Sequence, residues 1–179
     1  MYNKEKNKKF LIEKFSNNTL LFKDHYDEIT IKKNNILEVI QTLKEDQNLQ
    51  YDQLIDLTAI DYPSREKRFV VVYIFLSMIQ NKRILVKTSL NENENIESIT
   101  SIHKSADWYE RECYDLFGIK FLNHPDLRRI MTDYNFEGHP LRKDFPLTGH
   151  TEVRYDDLEK KVIYEPVKLT QEYRNFDYS

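Results

Sequence analysis

RFVVVYIFL, residues 68–76, contains the longest apolar run of the chain and predicts the strand on which the fold is built. Side chains alternate between the two faces of a strand, and here both faces carry β-branched or aromatic residues. This is typical of a central strand in a sheet that helices cover on one side. Further strands are predicted at residues 54–60 and 83–90. Since residues 77–82 are few enough for a hairpin, the three strands together predict a meander.

The residues before the meander predict two helices and two short strands. Apolar residues at helical spacing predict a helix from residue 36 to about residue 47, with Asn34 or Asn35 as its N-cap. A first helix and two strands are predicted at residues 5–16, 19–22 and 28–32. The pattern predicts an α+β fold with a mixed β-sheet packed against helices on one side, followed by an extended, largely irregular C-terminal arm with a short hairpin.

The residues after the meander predict two more helices. A short one covers residues 96–103. The next begins at a cap formed by Ser105 or Asp107, with Glu110 at capping-box spacing from Asp107, and ends where Gly118 can adopt a left-handed conformation.

Two side chains of this last helix are predicted to lie in the core. Trp108 is predicted as a core anchor, and Cys113 lies on the apolar stripe, where a thiol is typically inert. Because Cys113 is the only cysteine, the chain cannot form an internal disulfide or a cysteine-ligated zinc or iron–sulfur site.

A segment rich in proline, aspartate, histidine and arginine follows. It reads NHPDLRRIMTDYNFEGHPLRKDFPL, residues 123–147, and is called the irregular segment below. Its prolines prevent one long helix or strand, but its recurring apolar residues predict that much of it is packed. An ordered, arginine-bearing segment of this kind is typical of a recognition surface.

The chain is predicted to divide at residue 104. Residues 1–104 form an α/β scaffold, with the order of the first 20 residues left open. Residues 105–179 form a helix plus an extended docking arm and tail that is not an independent domain. The arm includes a hairpin with strands at residues 152–155 and 161–164.

Composition excludes several classes of function. A net charge of −3 without a basic stripe argues against nucleic acid, and three glycines are too few for the usual nucleotide- or flavin-binding loops. No apolar run is long enough to cross a bilayer, and the first residues lack the pattern of a signal or transit peptide. Residues with AT-rich codons (Asn, Lys, Ile, Tyr, Phe) are abundant, which indicates an AT-rich genome such as that of an organelle.

Three histidines raise the alternative of a metal site. His124, His139 and His150 lie near several carboxylates, and a catalytic zinc site takes three such ligands. Their spacing across predicted loop matches no helical or hairpin ligand geometry, and both His-Pro pairs are more typical of turns. A stand-alone metal-dependent hydrolase using these histidines is therefore the alternative hypothesis.

Two charged runs have open interpretations. Glu110-Arg111-Glu112 is either a salt-bridged exposed face or part of a buried network with arginines of the irregular segment. Of the consecutive Arg128 and Arg129, one is predicted to pair internally with a carboxylate while the other reaches a partner. No constellation meets the geometry of an active site, so the residues alone favour a binding module.

Four motifs occur in a fixed order: DWYERECYDLFGIKF (107–121), the irregular segment, EVRYDD (152–157) and EPVKLTQEYRNFDY (165–178). In this order and spacing they closely resemble the C subunit of the proton-pumping NADH:quinone oxidoreductase, respiratory complex I. The resemblance covers roughly residues 25–179. It implies a non-catalytic core subunit of the peripheral arm that supports assembly and electron transfer from NADH to ubiquinone. It also implies that this chain binds no cofactor, while flavin and iron–sulfur clusters lie on neighbouring subunits.

The resemblance further implies partners and a location. The expected neighbours are the quinone-site subunit and the subunits that carry the terminal clusters. Because the chain looks most like the mitochondrially encoded form, the expected location is peripheral, on the matrix side of the mitochondrial inner membrane. By motif matching, the expected contact residues are Glu110, Arg111, Asp115, Arg128, Arg129, Asp133, Tyr134, Glu137, Gly138, His139, Pro140, Arg142, Lys143 and Asp144.

Two positions depart from the family pattern. Asn135 stands where relatives usually carry glycine, and because Asn tolerates positive φ, the turn is expected to survive. Cys113 replaces a commonly aliphatic residue, which agrees with an inert core thiol.

Arg142→Ala is expected to leave the isolated fold largely intact and to weaken incorporation into the complex by about 2–5 kcal/mol. A third, weaker hypothesis is a soluble adaptor outside respiration that reuses the fold.

Overall fold

The structure is a computed structural model that describes residues 4–16, 18–23 and 26–168, with side chains from residue 8 onward. The tail predicted beyond residue 168 lies outside the described residues. The helices are α1 (Lys4–Lys14), α2 (Ile36–Glu45) and α3 (Ala106–Phe117). The strands are β1 (Thr19–Phe22), β2 (Tyr26–Ile31), β3 (Gln53–Asp61), β4 (Phe69–Ser77), β5 (Lys82–Leu90), β6 (Ile96–Glu97), β7 (Phe121–Leu122), β8 (Thr151–Asp156) and β9 (Lys161–Pro166).

The main sheet has five strands in the order β1-β2-β5-β4-β3. Strands β2 and β5 are parallel and the other neighbours are antiparallel, so the sheet is mixed. The predicted central strand, β4, lies between β5 and β3, with Val71 opposite Ala59 on one side and Thr88 on the other. The predicted meander and the α+β fold class are therefore confirmed.

One hydrophobic core joins the sheet to all three helices. Leu11 of α1, Ile40 of α2 and Cys113 of α3 belong to the same buried cluster as Tyr73 of β4. Burial of alternate residues along β4 matches its apolar pattern, because side chains on a strand point to opposite faces. The core thus continues across residue 104 into α3. Within the described residues, no helix is long and apolar enough to cross a membrane.

Helix α3 covers the free edge of β3. The Tyr109 hydroxyl donates to the carbonyl of Ile55 at 2.8 Å, and the Cys113 thiol donates to that of Leu57 at 3.6 Å. These two carbonyls belong to an edge strand, which would otherwise offer unpaired backbone groups to another chain. Burial raises the pKa of the Cys113 thiol, as expected for an inert core residue.

Two predictions about the start of α3 are wrong. Residues 96–103 do not form a helix. They form the two-residue strand β6, which pairs in parallel with β7, followed by turns. The capping box is also absent, because Asp107 lies inside the first turn and Ser105 is the N-cap without a side-chain hydrogen bond. Glu110 instead accepts a hydrogen bond from the backbone N–H of Ile99.

Trp108 is not a core anchor, since 65% of it is exposed. The buried stripe of α3 runs through Ala106, Glu110, Cys113 and Phe117, at the helical period, and Trp108 falls on a different face. Its ring instead lies 5.4 Å from the guanidinium carbon of Arg111. The prediction is wrong because position 108 lies off the apolar stripe of α3.

Predictions about caps and turns have mixed outcomes. Gly118 ends α3 with φ +77°, as predicted. Asn35 occupies the N-cap of α2 but makes no side-chain capping bond. The turn at Asn135 is present, as expected, with the Phe136 N–H donating to the Asp133 carbonyl at 2.9 Å, but Asn135 does not adopt positive φ, whereas Asn123 has φ +61°. The hairpin β8–β9 is confirmed, with Asp156 opposite Lys161 beside the turn.

Candidate docking surface

The Asp115 carboxylate attaches the irregular segment to α3. Its side chain is fully buried, and Oδ2 accepts hydrogen bonds from the backbone N–H groups of Ile130, Met131 and Thr132 at 3.1, 2.7 and 2.9 Å. Three successive N–H groups that converge on one oxygen form a concave anion site, filled here by a side chain of the same protein. The first half of the irregular segment is thereby held in one conformation.

The second oxygen of Asp115 is held by side chains. Oδ1 accepts a hydrogen bond from the Thr132 hydroxyl at 2.5 Å and one from Arg129 Nη1 at 2.7 Å. Burial alone would raise the pKa of the Asp115 carboxyl, but these hydrogen bonds and the guanidinium hold that pKa well below its usual range. Arg129 also donates to the carbonyl of Gly138 at 3.0 Å, which ties the first half of the segment to the second.

The second half of the segment caps the C-terminus of α3. The carbonyls of residues 115–117 accept hydrogen bonds from His139 Nδ1 (2.8 Å), the Leu141 N–H (3.0 Å) and Arg142 Nε (2.6 Å), in that order. These are carbonyls that a helix end leaves without intrahelical partners. A Cβ atom at Gly118 would lie 2.5 Å from Arg142 Nη2 and 2.6 Å from the His139 ring, so only glycine allows this approach.

An ion network joins the segment to the sheet. Arg68, directly before β4, contacts Asp61 through two hydrogen bonds at 2.8 and 2.9 Å and contacts Asp144 at 2.9 Å. The Lys143 N–H donates to Asp61 Oδ2 at 2.7 Å. The Arg68 guanidinium holds the pKa of the Asp61 carboxyl below its usual range, despite burial. Part of the predicted contact set therefore also serves the internal structure.

Arg142 has internal contacts as well. Besides the bond to the helix end, Nη1 contacts Glu92 Oε1 at 3.1 Å. The guanidinium carbons of Arg142 and Arg68 each lie 5.2 Å from the centroid of the Phe69 ring. The expectation that Arg142→Ala leaves the isolated fold largely intact is therefore corrected, because that change removes a cap, an ion pair and a ring contact together.

Buried groups on α3 also fix the start of the segment. Glu110 Oε1 accepts from the Ile99 N–H at 2.7 Å, and Glu110 Oε2 lies 3.8 Å from His124 Nε2. The Asp126 N–H donates to His124 Nδ1, and His124 Nε2 lies within hydrogen-bond distance of the Asp107 carbonyl oxygen, at 3.1 Å. Burial raises the pKa of Glu110 to about 7.

The structure limits the interpretations of the charged runs. Glu110 and Arg111 are buried, so the exposed-face interpretation is wrong for them, but Arg111 Nε donates to the backbone carbonyl of Arg128 at 3.2 Å and no described contact joins Glu110 to an arginine side chain. Arg129 pairs internally, as predicted for one of the two arginines. Arg128 points outward and contacts only the neighbouring Asp126, at 2.9 Å, among the described carboxylates.

The fourteen predicted contact residues fall into three groups by exposure. Those buried within the chain are Glu110, Arg111 and Asp115. Those half-buried are Arg129, His139, Pro140 and Arg142. Those exposed are Arg128, Asp133, Tyr134, Glu137, Gly138, Lys143 and Asp144. The structure thus brings the set together around α3, with an inner layer that supports an outer one.

Sequence reasoning missed most of the exposed apolar residues in this region. They continue from the irregular segment onto both strands and the turn of the hairpin. The set, called the docking surface below, comprises Met131, Tyr134, Leu141, Leu147, Val153, Tyr155, Leu158, Val162 and Tyr164. The available signal was the apolar alternation along both strands, which places Val153 opposite Tyr164 and Tyr155 opposite Val162.

The hairpin β8–β9 is a two-stranded sheet of its own. Leu158 at its turn is 95% exposed, and both strands are exposed along most of their length. An isolated two-stranded hairpin is marginally stable in water, and a contiguous apolar surface typically marks a site of interaction. This combination is typical of a surface that binds another protein.

The three histidines of the alternative metal site have separate surroundings. His124 is held by Asp107 and Asp126, His139 hydrogen-bonds the end of α3, and the His150 ring packs edge-on against Phe145. Over residues 4–16, 18–23 and 26–168 no group of three or more His, Cys, Asp or Glu side chains is placed to hold a metal ion. The hydrolase hypothesis required these three histidines to bind one metal ion together, and the described structure does not place them together.

The fold matches that of a chain in a solved respiratory assembly. A chain from the "Structure of the membrane-bound sulfane sulfur reductase (MBS), an archaeal respiratory membrane complex" superposes with a TM-score of 0.70 over 80% of this chain and 85% of the other. Sequence identity is 23%, so the likeness concerns the fold alone.

Sequence comparison defines the family. Residues 29–151 match the family described as "Respiratory-chain NADH dehydrogenase, 30 Kd subunit". The NADH-quinone oxidoreductase C subunit of Ruegeria pomeroyi is 55% identical over 150 residues, which cover 84% of this chain and 75% of that protein. The corresponding C subunits of Cereibacter sphaeroides and Mesorhizobium japonicum are 56% and 57% identical over 155 residues, covering 86% of this chain and 78% and 77% of theirs. The chain therefore belongs to the 30 kDa subunit family of the respiratory-chain NADH dehydrogenase.

Proposed function

We propose that this chain is the C subunit of a proton-translocating NADH:quinone oxidoreductase and acts there as a non-catalytic docking subunit of the peripheral arm. Family membership supports the assignment to the enzyme. The observation that carries the docking role is the apolar hairpin β8–β9, whose strands are exposed within the described part of the chain, beside an irregular segment held by bonds to α3.

The internal bonds and the exposed residues have complementary roles in this proposal. Asp115 and Glu110 lie too deep to contact a neighbour directly, so they act by holding the segment in its binding conformation. A surface that is ordered before binding loses less conformational entropy on association, which increases affinity. The exposed members, among them Tyr134, Glu137 and Arg128, make the direct contacts. We take the quinone-site subunit and the subunits with the terminal clusters as the partners.

The chain is proposed to bind neither flavin nor iron–sulfur cluster, and electrons pass through cofactors on its neighbours. The chain has one cysteine, Cys113, and this thiol is buried and donates to a carbonyl of β3. A cluster needs several thiolates at one place, which a single cysteine cannot supply. The contribution to catalysis is then structural, through the position of the neighbouring redox subunits.

The location is proposed to be the matrix side of the mitochondrial inner membrane, with the gene in the organelle. The abundance of residues with AT-rich codons supports this. The relatives described above are bacterial, so the same subunit in a bacterium is the competing assignment. Metabolic labelling of the source cells, followed by fractionation, distinguishes the two. An organelle-encoded product is made by mitochondrial ribosomes, so it continues to be labelled in the mitochondrial fraction when cytosolic translation is blocked.

Native purification tests the proposed function. Solubilised membranes are separated by size under native conditions, and NADH-dependent quinone reduction is assayed across the fractions. We expect the chain to co-migrate with that activity, at a fixed ratio to a cluster-bearing subunit measured by quantitative mass spectrometry. Recovery of the chain only as a free monomer, or only with proteins outside the respiratory chain, contradicts the proposal and favours an adaptor that reuses the fold.

A further inference from the structure

An open cavity of about 570 Å³ lies between the irregular segment and the hairpin. It belongs to neither the core nor the attachment of the segment to α3. Its main lining residues are Asp133, Phe136, Glu137, Phe145, His150 and Tyr164. Its volume is within the range of protein cavities that bind small molecules or side chains, roughly 300–1,000 Å³.

The walls of this cavity are packed aromatic rings. The rings of Phe136 and Phe145 have centroids 5.8 Å apart, and the Phe145 and His150 rings meet edge to face at 5.4 Å. Phe145 lies directly over Gly138, where a Cβ atom would come within 2.7 Å of the ring. The rings are therefore positioned by close packing against the backbone of the segment.

The charge of the cavity is negative. Asp133 and Glu137 line it together with the rings, and its lining includes neither lysine nor arginine. The Tyr164 hydroxyl donates to Asp133 Oδ2 at 3.3 Å, which holds that carboxylate in place across the gap between segment and hairpin. In the described part of the chain, no lysine, arginine or histidine forms an ion pair with Asp133 or Glu137.

Aromatic faces and unpaired carboxylates in one cavity select for a cation. A guanidinium or ammonium group gains from the negative face of an aromatic ring and from charge-assisted hydrogen bonds to carboxylates. Phe136 already has this kind of contact within the chain, since the guanidinium carbon of Arg129 lies 5.9 Å from its centroid. Arginine is also enriched at the centres of protein interfaces.

We propose that this cavity binds a basic side chain, arginine or lysine, from an extended segment of a neighbouring subunit. The inference rests on the proposed function, because it defines the chemistry of one contact on the docking surface. The occupant enters between the turn of residues 133–137 and β9, and its charge is neutralised by Asp133 and Glu137. It thereby joins the irregular segment and the hairpin into one binding site.

Binding measurements on a double variant test this proposal. The wild-type chain and Asp133→Asn/Glu137→Gln are titrated onto a sub-assembly of the other hydrophilic subunits prepared without this chain. Both changes keep side-chain shape and leave an oxygen that can accept the Tyr164 bond. The matched control is Glu38→Gln/Glu45→Gln, which removes two exposed carboxylates from α2, away from the docking surface.

We expect the cavity variant to bind about tenfold more weakly or worse, with a smaller salt dependence than wild type, because a charge-assisted contact is lost. The control is expected to bind within about twofold of wild type. Equal binding of wild type and cavity variant overturns the cavity proposal and leaves the proposed function standing. If the wild-type chain itself does not bind the sub-assembly, both the proposed docking function and the cavity proposal are contradicted.

Crosslinking identifies the occupant. A photoreactive benzoylphenylalanine replaces Tyr134 at the rim of the cavity, and the assembled complex is irradiated and digested for mass spectrometry. An adduct on a peptide of another subunit, within a few residues of an arginine or lysine, supports the proposal. An adduct on residues 169–179 of this chain, on lipid or on a partner segment without basic residues overturns it, as does the absence of any adduct.

Discussion

Arg129 Nη1 lies 2.7 Å from Asp115 Oδ1, and this ion pair joins the irregular segment to the last turns of α3. Only 17% of the Arg129 side chain and none of the Asp115 side chain is exposed. Both residues belong to the set predicted to contact partners. Their geometry fixes the shape of the segment from inside the chain, while exposed residues such as Tyr134 lie on its surface.

Asp115→Asn is the most direct test of this arrangement. The amide keeps one acceptor oxygen but loses the charge and places an N–H₂ group where N–H donors converge. We expect the free energy of unfolding to fall by about 3–5 kcal/mol, since breaking a buried ion pair leaves the partner charge uncompensated. Urea unfolding measures this change. The control is Asp157→Asn on the exposed turn, expected within about 0.5 kcal/mol of wild type.

The second prediction concerns pH and Glu110. Burial raises its pKa from 4.5 to about 7, so the folded state binds this proton more tightly than the unfolded state. The resulting stabilisation is complete below about pH 4.5 and is lost as the pH rises through about 7. At 1.36 kcal/mol per pKa unit, the loss approaches roughly 3 kcal/mol.

Glu110→Gln, which resembles the protonated side chain, removes this pH dependence. Unfolding free energies of wild type and variant are compared between pH 5 and 8.5, and we expect their difference to move in favour of the variant as pH rises. Glu112→Gln on the same helix is expected to follow the wild-type profile. A difference between wild type and Glu110→Gln that stays constant with pH contradicts the raised pKa.

Gly118→Ala tests the close approach at the end of α3. An alanine at φ +77° is strained, and its Cβ atom would overlap Arg142 and His139. We expect a loss of about 1–3 kcal/mol of stability, together with faster proteolysis within the irregular segment, because two of its three bonds to the helix end must move. Gly149→Ala is a useful comparison, since its Cβ would meet only one atom, at 4.0 Å.

Arg142→Ala is expected to destabilise the isolated chain by about 1–3 kcal/mol, because the carbonyl of Phe117 and the Glu92 carboxylate lose a donor. Arg142→Lys retains the charge but cannot reach both groups with a planar fork, and we expect it to restore less than half of the loss. Thermal unfolding of the isolated chain measures both. An unchanged melting temperature for Arg142→Ala would show that Arg142 serves the interface alone.

The sheet could be predicted because its strands are determined locally. The apolar residues of β4 and the alternation along β5 specify strands whatever surrounds them, and the family motifs then supplied the order of the arm. The end of α3 was also predictable, because glycine is the residue that tolerates a left-handed cap. Local chemistry decides both features.

Failures occurred where tertiary contacts decide. Residues 96–103 resemble a helix in composition, but backbone bonds from Ile96 and Ser98 to the chain at residues 120–122 hold residues 96–98 extended, and turns follow. Burial of Glu110 could not be read from its type, because an acidic residue on a helix is typically exposed. The apolar stripe of α3 through Ala106 and Cys113 identifies Glu110 as an inward position, and that pattern was the available signal.

Amide hydrogen exchange, measured on the isolated chain and on the assembled complex, tests the central claim most directly. We expect the N–H groups of residues 130–132, bound to Asp115, to be protected in both states, whereas β8 and β9 become protected only in the complex. That result means that Asp115 holds the irregular segment in place before assembly and that the adjoining hairpin β8–β9 binds the partner. Equal exchange of β8 and β9 in the two states contradicts the claim that this arm is the docking surface.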